Sequence, residues 1–295
     1  MILITGATGK IGQALVQDLL ARKCEFKVMV RSKEAAKAFE SQGIKAVHGD
    51  FERTGTLADA LAGIRQAFLL TIPHPAQPEI ERKFLKACKQ EGVRQVVRLS
   101  AMGANPASAS GLLRCHGRCE LQLEDSGLGW TILRPTMFMQ NLVHFFAATV
   151  AKESTLYAPA GQARIPWVDT RDIAAVAGTV LATTGHQDLI YEITGPEACT
   201  YADVADLLGG KLGRRIAFVD VPDGGARQAI TAMGAPIWLA EGMINLYHLF
   251  KVNGHTSLVL DTVERITGRP ARTLDAYLVE NLEAFRSRKP VEVAH

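Results

Sequence analysis

The chain has 295 residues, of which 47% are hydrophobic and 21% are charged, and its formal net charge is +3. This composition is typical of a globular protein with one large domain, or with a core and a smaller lobe. The charge excess is too small to indicate nucleic-acid or membrane-surface binding, and no apolar run is long enough to cross a bilayer. With a strand-like segment at the very start and five scattered cysteines, we expect a cytoplasmic protein without a signal peptide or disulfides.

The glycine-rich turn near the start is the strongest motif in the chain. Residues 2–4 are branched and apolar, as in a buried parallel strand, and residues 14–22 carry apolar side chains at helical spacing. Between them lie Gly6, Gly9 and Gly12. In a nucleotide-binding turn the first glycine allows the tight turn, the second lets a pyrophosphate approach, and the third allows close helix–strand packing. The motif therefore predicts dinucleotide binding at the helix start; the alternative is a glycine-rich turn in another α/β protein.

The end of the second predicted strand indicates which nucleotide binds. Residues 25–30 form that strand, and Arg31, Ser32 and Lys33 follow it. An acidic residue at this place would bind the ribose 2′-hydroxyl and favour NAD(H), whereas a guanidinium suits a 2′-phosphate. The sequence therefore favours NADP(H) over NAD(H). The alternative is a solvated basic turn that only flanks the adenine.

Apolar segments of strand length alternate with segments of helical periodicity through the first half of the chain. This alternation predicts an α/β fold of the Rossmann type, a doubly wound parallel sheet with helices on both faces. Further strands are predicted at residues 45–48, 66–71, 95–99 and 128–133, and helices at residues 34–43, 57–62, 78–91 and 110–125.

Polar residues follow several of these strands, at the edge of the sheet where ligands gather in open α/β folds. Asp50 could bind the adenine amino group or cap the helix at residues 57–62. The loop at residues 71–75 would lie along the inner face of the cofactor, with His74 at its rim. Ser100 could reach a substrate carbonyl or the nicotinamide, or bind only local backbone.

Beyond Pro135 the alternation becomes irregular, and a smaller lobe is expected. Residues 1–150 are predicted to form the nucleotide-binding core, to which residues 163–195 return. Residues 196–295, with a contribution from 151–162, are predicted to form a small, mainly helical substrate lobe. Apolar residues after the sixth strand could line a pocket for a flat ligand or fill a core, namely Met137, Phe138, Met139, Phe145, Phe146 and Tyr157.

Several segments together resemble the NmrA-like group of atypical short-chain dehydrogenase/reductases over nearly the whole chain. The matching segments are GATGKIG at residues 6–12, VRS at 30–32, GDF at 49–51, SGLGWTILRP at 126–135, VDTRDIA at 168–174, YEITGPE at 191–197 and ITGRPART at 266–273. This group includes NADPH-dependent quinone reductases, triphenylmethane dye reductases and redox sensors that bind the cofactor without turnover. The resemblance implies a cofactor-binding domain and a small C-terminal lobe over the nicotinamide.

The chain departs from typical short-chain dehydrogenases on the helix that follows Ser100. Those enzymes carry Tyr-x-x-x-Lys there, in which the tyrosine exchanges a proton with a carbonyl oxygen and the lysine holds the nicotinamide ribose. Residues 111–124 contain neither tyrosine nor lysine, and the best alignment puts Leu112 and His116 at the two places. His116 could contact the ribose, act as an acid, or be an ordinary helix histidine.

The missing pair favours acceptors that need no positioned acid. Loss of such an acid commonly costs about two to four orders of magnitude in rate for an unactivated ketone. A quinone or dye-like acceptor gives a stabilised reduced product, so hydride can arrive first and water can supply the proton. The sequence therefore predicts an NAD(P)H-dependent oxidoreductase of flat conjugated acceptors, with NADPH favoured. The alternatives are a non-catalytic NADP(H)-binding redox sensor and a pathway-specific biosynthetic reductase.

The predicted cofactor contacts are Gly6, Thr8, Gly9, Lys10, Ile11, Gly12, Arg31, Ser32, Asp50, Phe51, Thr71, Ile72, Pro73, Ser100, His116 and Pro135. Ser100 and His116 are also the catalytic candidates, and the predicted substrate pocket consists of His74, Met102, Met137, Phe138 and Trp167. No metal is predicted, because Cys115 and Cys119 beside His116 lack a second ligand cluster. The expected partner is a small-molecule electron acceptor, without nucleic acid or membrane, and residues 237–250 could form a pocket lid or a homodimer face.

Overall fold

The computed structural model describes residues 1–252 and 254–286, so residues 287–295 of the predicted lobe lie outside the described part of the chain. Its strands are β1 (Ile2–Ile4), β2 (Phe26–Val30), β3 (Ala46–His48), β4 (Gln66–Leu69), β5 (Gln95–Leu99), β6 (Gly129–Pro135), β7 (Thr155–Ala158), β8 (Leu189–Ile193) and β9 (Ala217–Asp220). Seven of them form one sheet in the order β3-β2-β1-β4-β5-β6-β8, and every pair in it is parallel. The predicted Rossmann-type fold is confirmed.

Helices connect these strands and cover both faces of the sheet. The first seven are α1 (Lys10–Ala21), α2 (Lys33–Glu40), α3 (Leu57–Leu61), α4 (Gln77–Gln90), α5 (Gly111–Glu124), α6 (Gln140–Glu153) and α7 (Thr170–Ala182). The others are α8 (Tyr201–Leu212), α9 (Asp223–Ala232), α10 (Ile237–Val252), α11 (Thr262–Thr267), α12 (Leu274–Glu280) and α13 (Leu282–Arg286). Parallel neighbours need such crossovers, because a short hairpin joins only antiparallel strands.

The strand order reverses between β1 and β4, and this reversal positions the candidate site. The connection from β1 runs towards β2 and β3 on one side, whereas β4 begins the half of the sheet that continues through β5, β6 and β8. In open α/β sheets a ligand binds beyond the carboxyl ends of the strands at such a switch point. The turns that follow β1, β4 and β5 therefore surround the place where a ligand is expected.

Each face of the main sheet has its own apolar core. On one face α1 and α7 pack together and bury residues such as Leu15 and Val176, both 0% exposed. On the other face α3, α4 and α5 cover the sheet, with Phe84 and Leu123 fully buried. The strands carry apolar residues towards both faces, as expected of a parallel sheet that is buried on both sides.

A third apolar core belongs to the smaller lobe. Strands β7 and β9 form a two-stranded parallel sheet, and Trp167, Tyr201 and Phe146 pack beside it with edge-on ring contacts. Helix α6 packs largely in this lobe, against β7 and α13. Strand β8 joins the main sheet, and α11 packs back against α7 and β8.

Candidate functional site

The three glycines of the first turn have different structural demands. Gly6 has a φ of 65°, a left-handed conformation that glycine adopts without strain. A Cβ at Gly12 would overlap the carbonyl oxygen of Gly6 and lie 2.7 Å from Ala7 Cα. At Gly9 an added Cβ would meet only the Gly6 oxygen, at an ordinary 3.5 Å. The turn itself thus requires Gly6 and Gly12, whereas no contact within residues 1–252 and 254–286 requires a glycine at position 9.

The start of α1 has the properties of an anion-binding helix terminus. Gly9 is the N-cap in extended conformation and supplies no side-chain cap, and the first turn of α1 contains no acidic residue. The first N–H groups of such a helix have no partner within the helix and carry a partial positive charge. Thr8, Gly9 and Lys10 are exposed and Ile11 is buried. The open space beside Gly9 and the uncapped helix terminus therefore fit a nucleotide diphosphate.

The ends of β2 and β3 hold the groups expected near the adenosine half. Arg31 is exposed, and no acidic side chain within residues 1–252 and 254–286 forms a salt bridge with it. Ser32 caps α2, and its hydroxyl accepts a hydrogen bond from Ala35 N at 3.1 Å. One alternative predicted that Asp50 caps α3, but the N-cap of that helix is Thr56. The Asp50 carboxylate instead accepts a hydrogen bond from Glu52 N at 3.0 Å. Next to it, the half-buried ring of Phe51 packs edge-on against the α3–α4 face of the core.

The loop after β4 is anchored at its first residue and exposed beyond it. The Thr71 hydroxyl donates to Glu81 Oε1 at 2.5 Å and accepts from Gln77 Nε2 at 2.8 Å. Ile72 is 71% exposed, and Pro73 and His74 are also exposed. His74 Nδ1 accepts from the backbone at 3.1 Å, and its ring lies edge-on to the ring of Trp238 on α10, 6.5 Å away. The predicted rim residue thus contacts the smaller lobe.

Ser100 follows β5, and its hydroxyl is committed to a buried carboxylate. Its Oγ donates a short hydrogen bond to Glu120 Oε1. Arg134, on the neighbouring strand β6, donates to both oxygens of Glu120, at 3.0 and 2.6 Å. Ser100 is 4% exposed. This arrangement orders the strand end, but a hydroxyl that already donates to a carboxylate is poorly placed to give its proton to a substrate.

His116 lies on the first half of α5 and is 9% exposed. Its Nδ1 is 3.3 Å from Nη2 of Arg98, a fully buried residue of β5. Burial, followed by the neighbouring charge of Arg98, lowers the pKa of His116 to about 3. The imidazole is therefore neutral at physiological pH, so it can bind a ribose hydroxyl but is poorly suited to act as a general acid. Ribose contact and acid catalysis were the two functional hypotheses for His116, and this geometry supports ribose contact.

Comparison with known proteins agrees with this geometry. A model of the NmrA-like family matches residues 1–282. The chain belongs to the NmrA-like family. The predicted resemblance is thereby confirmed.

Two relatives of this NmrA-like chain match it over nearly its full length. The NAD(P)H azoreductase of Xenophilus azovorans is 37% identical over 285 residues, which cover 97% of this chain and 99% of the relative. The (4-alkanoyl-5-oxo-2,5-dihydrofuran-3-yl)methyl phosphate reductase of Streptomyces griseus is 34% identical over 286 residues, with the same coverage of 97% and 99%. Among solved structures, the Escherichia coli NADPH-dependent quinone oxidoreductase complexed with NADPH has a TM-score of 0.86 at 26% identity, covering 95% of this chain and 99% of that chain.

The predicted substrate-pocket residues differ in their surroundings. Met102 and Met137 are buried, and Phe138 is half-buried and packs against the core beside α1 and α7. Trp167 is only 1% exposed and lies inside the lobe core, edge-on to Tyr201. The structure therefore corrects the assignment of Trp167 from pocket wall to core residue. Pro135 ends β6, and its carbonyl oxygen accepts from Met102 N at 2.8 Å.

Sequence reasoning missed the charged residues beneath the site. Glu81 and Arg98 form an ion pair whose side chains are 1% and 0% exposed. Two signals could have indicated them: an arginine in the middle of an apolar parallel strand, and a glutamate on the buried stripe of α4 with Gln77, Phe84 and Leu85. A charge in such a position is costly unless a partner of opposite sign is buried with it.

A groove of about 990 Å³ runs along the outer side of α1, from Thr8 in the turn after β1. Parts of α2, α6, α7 and α12 line it, and only Thr8 and Lys10 belong to the predicted cofactor contacts. No residue of the β4 or β5 ends contributes to its wall. We therefore do not assign this groove to the nicotinamide end of the site.

Within residues 1–252 and 254–286, no three side chains that could hold a metal ion come together. No helix in the same ranges has the length and apolar character needed to span a membrane.

Proposed function

We propose that this chain is an NADPH-dependent reductase of flat conjugated acceptors such as quinones or azo dyes. One combination of features carries the proposal. The glycine turn fits a nucleotide, and neither candidate proton donor is suited to give a proton to the substrate. Ser100 donates to Glu120, and the low pKa of His116 keeps it uncharged. The names of the relatives, an NAD(P)H azoreductase and an NADPH-dependent quinone oxidoreductase, support the same reaction class.

The residues that would hold the cofactor surround the switch point. The N-terminus of α1, beside Gly9, would bind the diphosphate, and Arg31 would bind the 2′-phosphate with its two parallel N–H groups. His116 would donate to a hydroxyl of the nicotinamide ribose. When bound, NADPH supplies the hydride, and the protein supplies orientation and excludes competing reactions.

The acceptor would bind between the strand ends and the smaller lobe. Helix α10 packs against α5, and the Ser110 hydroxyl donates to the Gly242 carbonyl oxygen at 3.1 Å. Trp238 on α10 contacts His74 on the β4 loop. These contacts support the pocket-lid reading of residues 237–250. Positioning against the cofactor would contribute most of the rate in such a site. Because the reduced form of a conjugated acceptor is stabilised, water can supply the proton afterwards.

The test is an acceptor panel with purified protein. Oxidation of NADPH is followed by the loss of its nicotinamide absorbance with quinones, azo dyes and unactivated ketones. We expect turnover with the quinones or dyes, and rates lower by about two to four orders of magnitude with the ketones. Tight NADPH binding in calorimetry without oxidation by any acceptor would contradict the proposal and favour the redox-sensor alternative.

A further inference from the structure

A buried polar network lies directly beneath the strand ends of the site. Arg98 Nε donates to Glu81 Oε2 at 2.6 Å, and Arg98 Nη2 donates to Glu81 Oε1 at 3.1 Å. Glu81 also accepts from Gln77 and Thr71, at 3.0 and 2.5 Å. The network therefore joins α4, β5 and the first residue of the β4 loop.

The same guanidinium reaches α5, where it contacts His116. Arg98 Nη2 lies 3.3 Å from His116 Nδ1. A guanidinium carries only donors and keeps its proton, so Nδ1 must be the acceptor in this contact. A neutral imidazole with an accepting Nδ1 carries its hydrogen on Nε2. The partner on β5 thus determines the tautomer of the histidine.

The other ring nitrogen of His116 is left without a protein partner. Within residues 1–252 and 254–286, Nε2 has no hydrogen bond, and it is not among the polar atoms that are sealed from solvent without a partner. Its N–H is therefore a donor that remains available to a ligand. It lies on the helix where typical short-chain dehydrogenases place the lysine that holds the nicotinamide ribose.

Stability alone does not explain the ion pair. Two buried charges lose their hydration, and replacing such a pair by apolar residues of similar volume is often neutral or stabilising. Burial by itself would lower the pKa of Arg98, but the charge and hydrogen bonds of Glu81 outweigh it and keep the pKa above its usual value. Arg98 is thus held as a permanent cation that can only donate to His116.

We propose that Arg98 is a positioning residue that fixes His116 as the Nε2–H tautomer, so that Nε2 donates to a hydroxyl of the nicotinamide ribose. Glu81 holds Arg98 in place and connects it to Thr71 on the β4 loop. This inference rests on the proposed function for its ligand, whereas the tautomer is a property of the protein alone.

The first measurement is heteronuclear NMR of nitrogen-labelled protein without nucleotide, at about pH 6 and about pH 8. The ring signals of His116 are assigned among the eight histidines by their loss in His116→Gln. We expect a protonated Nε2 and an unprotonated Nδ1 at both pH values. A protonated Nδ1 in the wild-type protein would overturn the proposal without any variant.

The second measurement uses Glu81→Met/Arg98→Met, which removes both charges at similar volume and is expected to fold. Arg82→Met is the matched control, because it removes an arginine of the exposed Glu79 pair on the same helix. The affinities of NADPH and of adenosine 2′,5′-bisphosphate, which lacks the nicotinamide ribose, are measured by calorimetry. In the double variant we expect a mixture of His116 tautomers and about three- to tenfold weaker NADPH binding, with unchanged bisphosphate binding.

The outcomes separate the two proposals. Unchanged NADPH affinity or an unchanged tautomer in the double variant would overturn the role of Arg98. Equal weakening of both ligands would also overturn it, because the effect would then not depend on the nicotinamide ribose. If neither ligand binds the wild-type protein, the proposed function fails together with the ribose contact, while the tautomer still reports on Arg98.

Discussion

Alanine substitutions at Gly9 and Gly12 should affect different properties, ligand binding and stability respectively, although the two residues lie in one turn. At Gly12 the new Cβ would overlap the Gly6 carbonyl oxygen and approach Ala7 Cα to 2.7 Å, and neither backbone atom can move aside as a flexible side chain could. At Gly9 the backbone has φ −79° and ψ 166°, which alanine adopts readily. Gly12→Ala therefore affects the fold, whereas Gly9→Ala affects only what binds beside the turn.

The expected magnitudes follow from these contacts. Overpacking against the backbone at Gly12 costs about 1–3 kcal/mol, and the upper value corresponds to a Tm lower by roughly 6–12 °C. At Gly9, alanine restricts the unfolded chain and gains about 0.4–1 kcal/mol, while the poorer N-cap loses a similar amount. The free energy of unfolding of Gly9→Ala should therefore stay within about 1 kcal/mol of the wild-type value. Its methyl group would occupy the approach of the diphosphate and weaken NADPH binding about tenfold or more.

Differential scanning calorimetry and isothermal titration calorimetry test this pair on the same preparations. Gly9→Ala should keep its Tm and lose NADPH affinity, and Gly12→Ala should lose stability first. Wild-type affinity for NADPH in a folded Gly9→Ala variant would refute the assignment of this turn to the diphosphate. A Tm loss in Gly9→Ala as large as that in Gly12→Ala would refute the structural distinction.

Three further predictions concern charged and titratable groups. Arg31→Ala should weaken NADPH binding about tenfold and leave NADH binding unchanged; equal effects on both would contradict the 2′-phosphate assignment. In urea unfolding, Arg98→Met should cost about 3–5 kcal/mol because Glu81 is left buried and unpaired. Arg82→Met, at the solvent-exposed pair, should unfold at nearly the same urea concentration as the wild type. The pKa of His116 lies at about 3 in the folded protein, against about 6.5 unfolded. Its contribution to stability is therefore complete above about pH 6.5 and decreases as the pH falls, by up to about 1.4 kcal/mol per pH unit. His116→Gln should remove that slope, and identical profiles of wild type and variant would contradict the burial of a neutral ring.

The parts of the fold that depend on local pattern could be predicted from the sequence. Residues 95–99 were predicted as a strand and form β5 (Gln95–Leu99), and residues 110–125 were predicted as a helix and contain α5. Strand β7 (Thr155–Ala158) was not predicted, because its partner β9 lies far along the chain and four residues give no readable period. The packing of α6 beside the smaller lobe could not be predicted for a similar reason: an apolar helix can face either of two cores.

In the candidate site, too, local pattern predicts some residues, whereas the surroundings of others depend on distant parts of the chain. The glycine turn and Arg31 follow β1 and β2 directly, so their place at the strand ends could be predicted from the sequence, whereas their contacts with a cofactor stay a prediction. The environment of His116 could not be predicted, since it depends on Arg98 from β5 and Glu81 from α4, which meet only in the folded chain. Charged side chains are expected at the surface, and a sequence does not show which of them are buried in pairs.

The buried pairs also explain why the missing acid and the proposed acceptors belong together. Glu81 with Arg98, and Glu120 with Arg134, pair their charges within the protein. His116 is thereby left as a neutral donor, which can orient a ribose hydroxyl throughout the physiological pH range but cannot release a proton to a developing alkoxide. The acceptor must then provide its own driving force, as conjugated quinones and dyes do. Selectivity among such acceptors would then depend on the shape of the space between the strand ends and the smaller lobe.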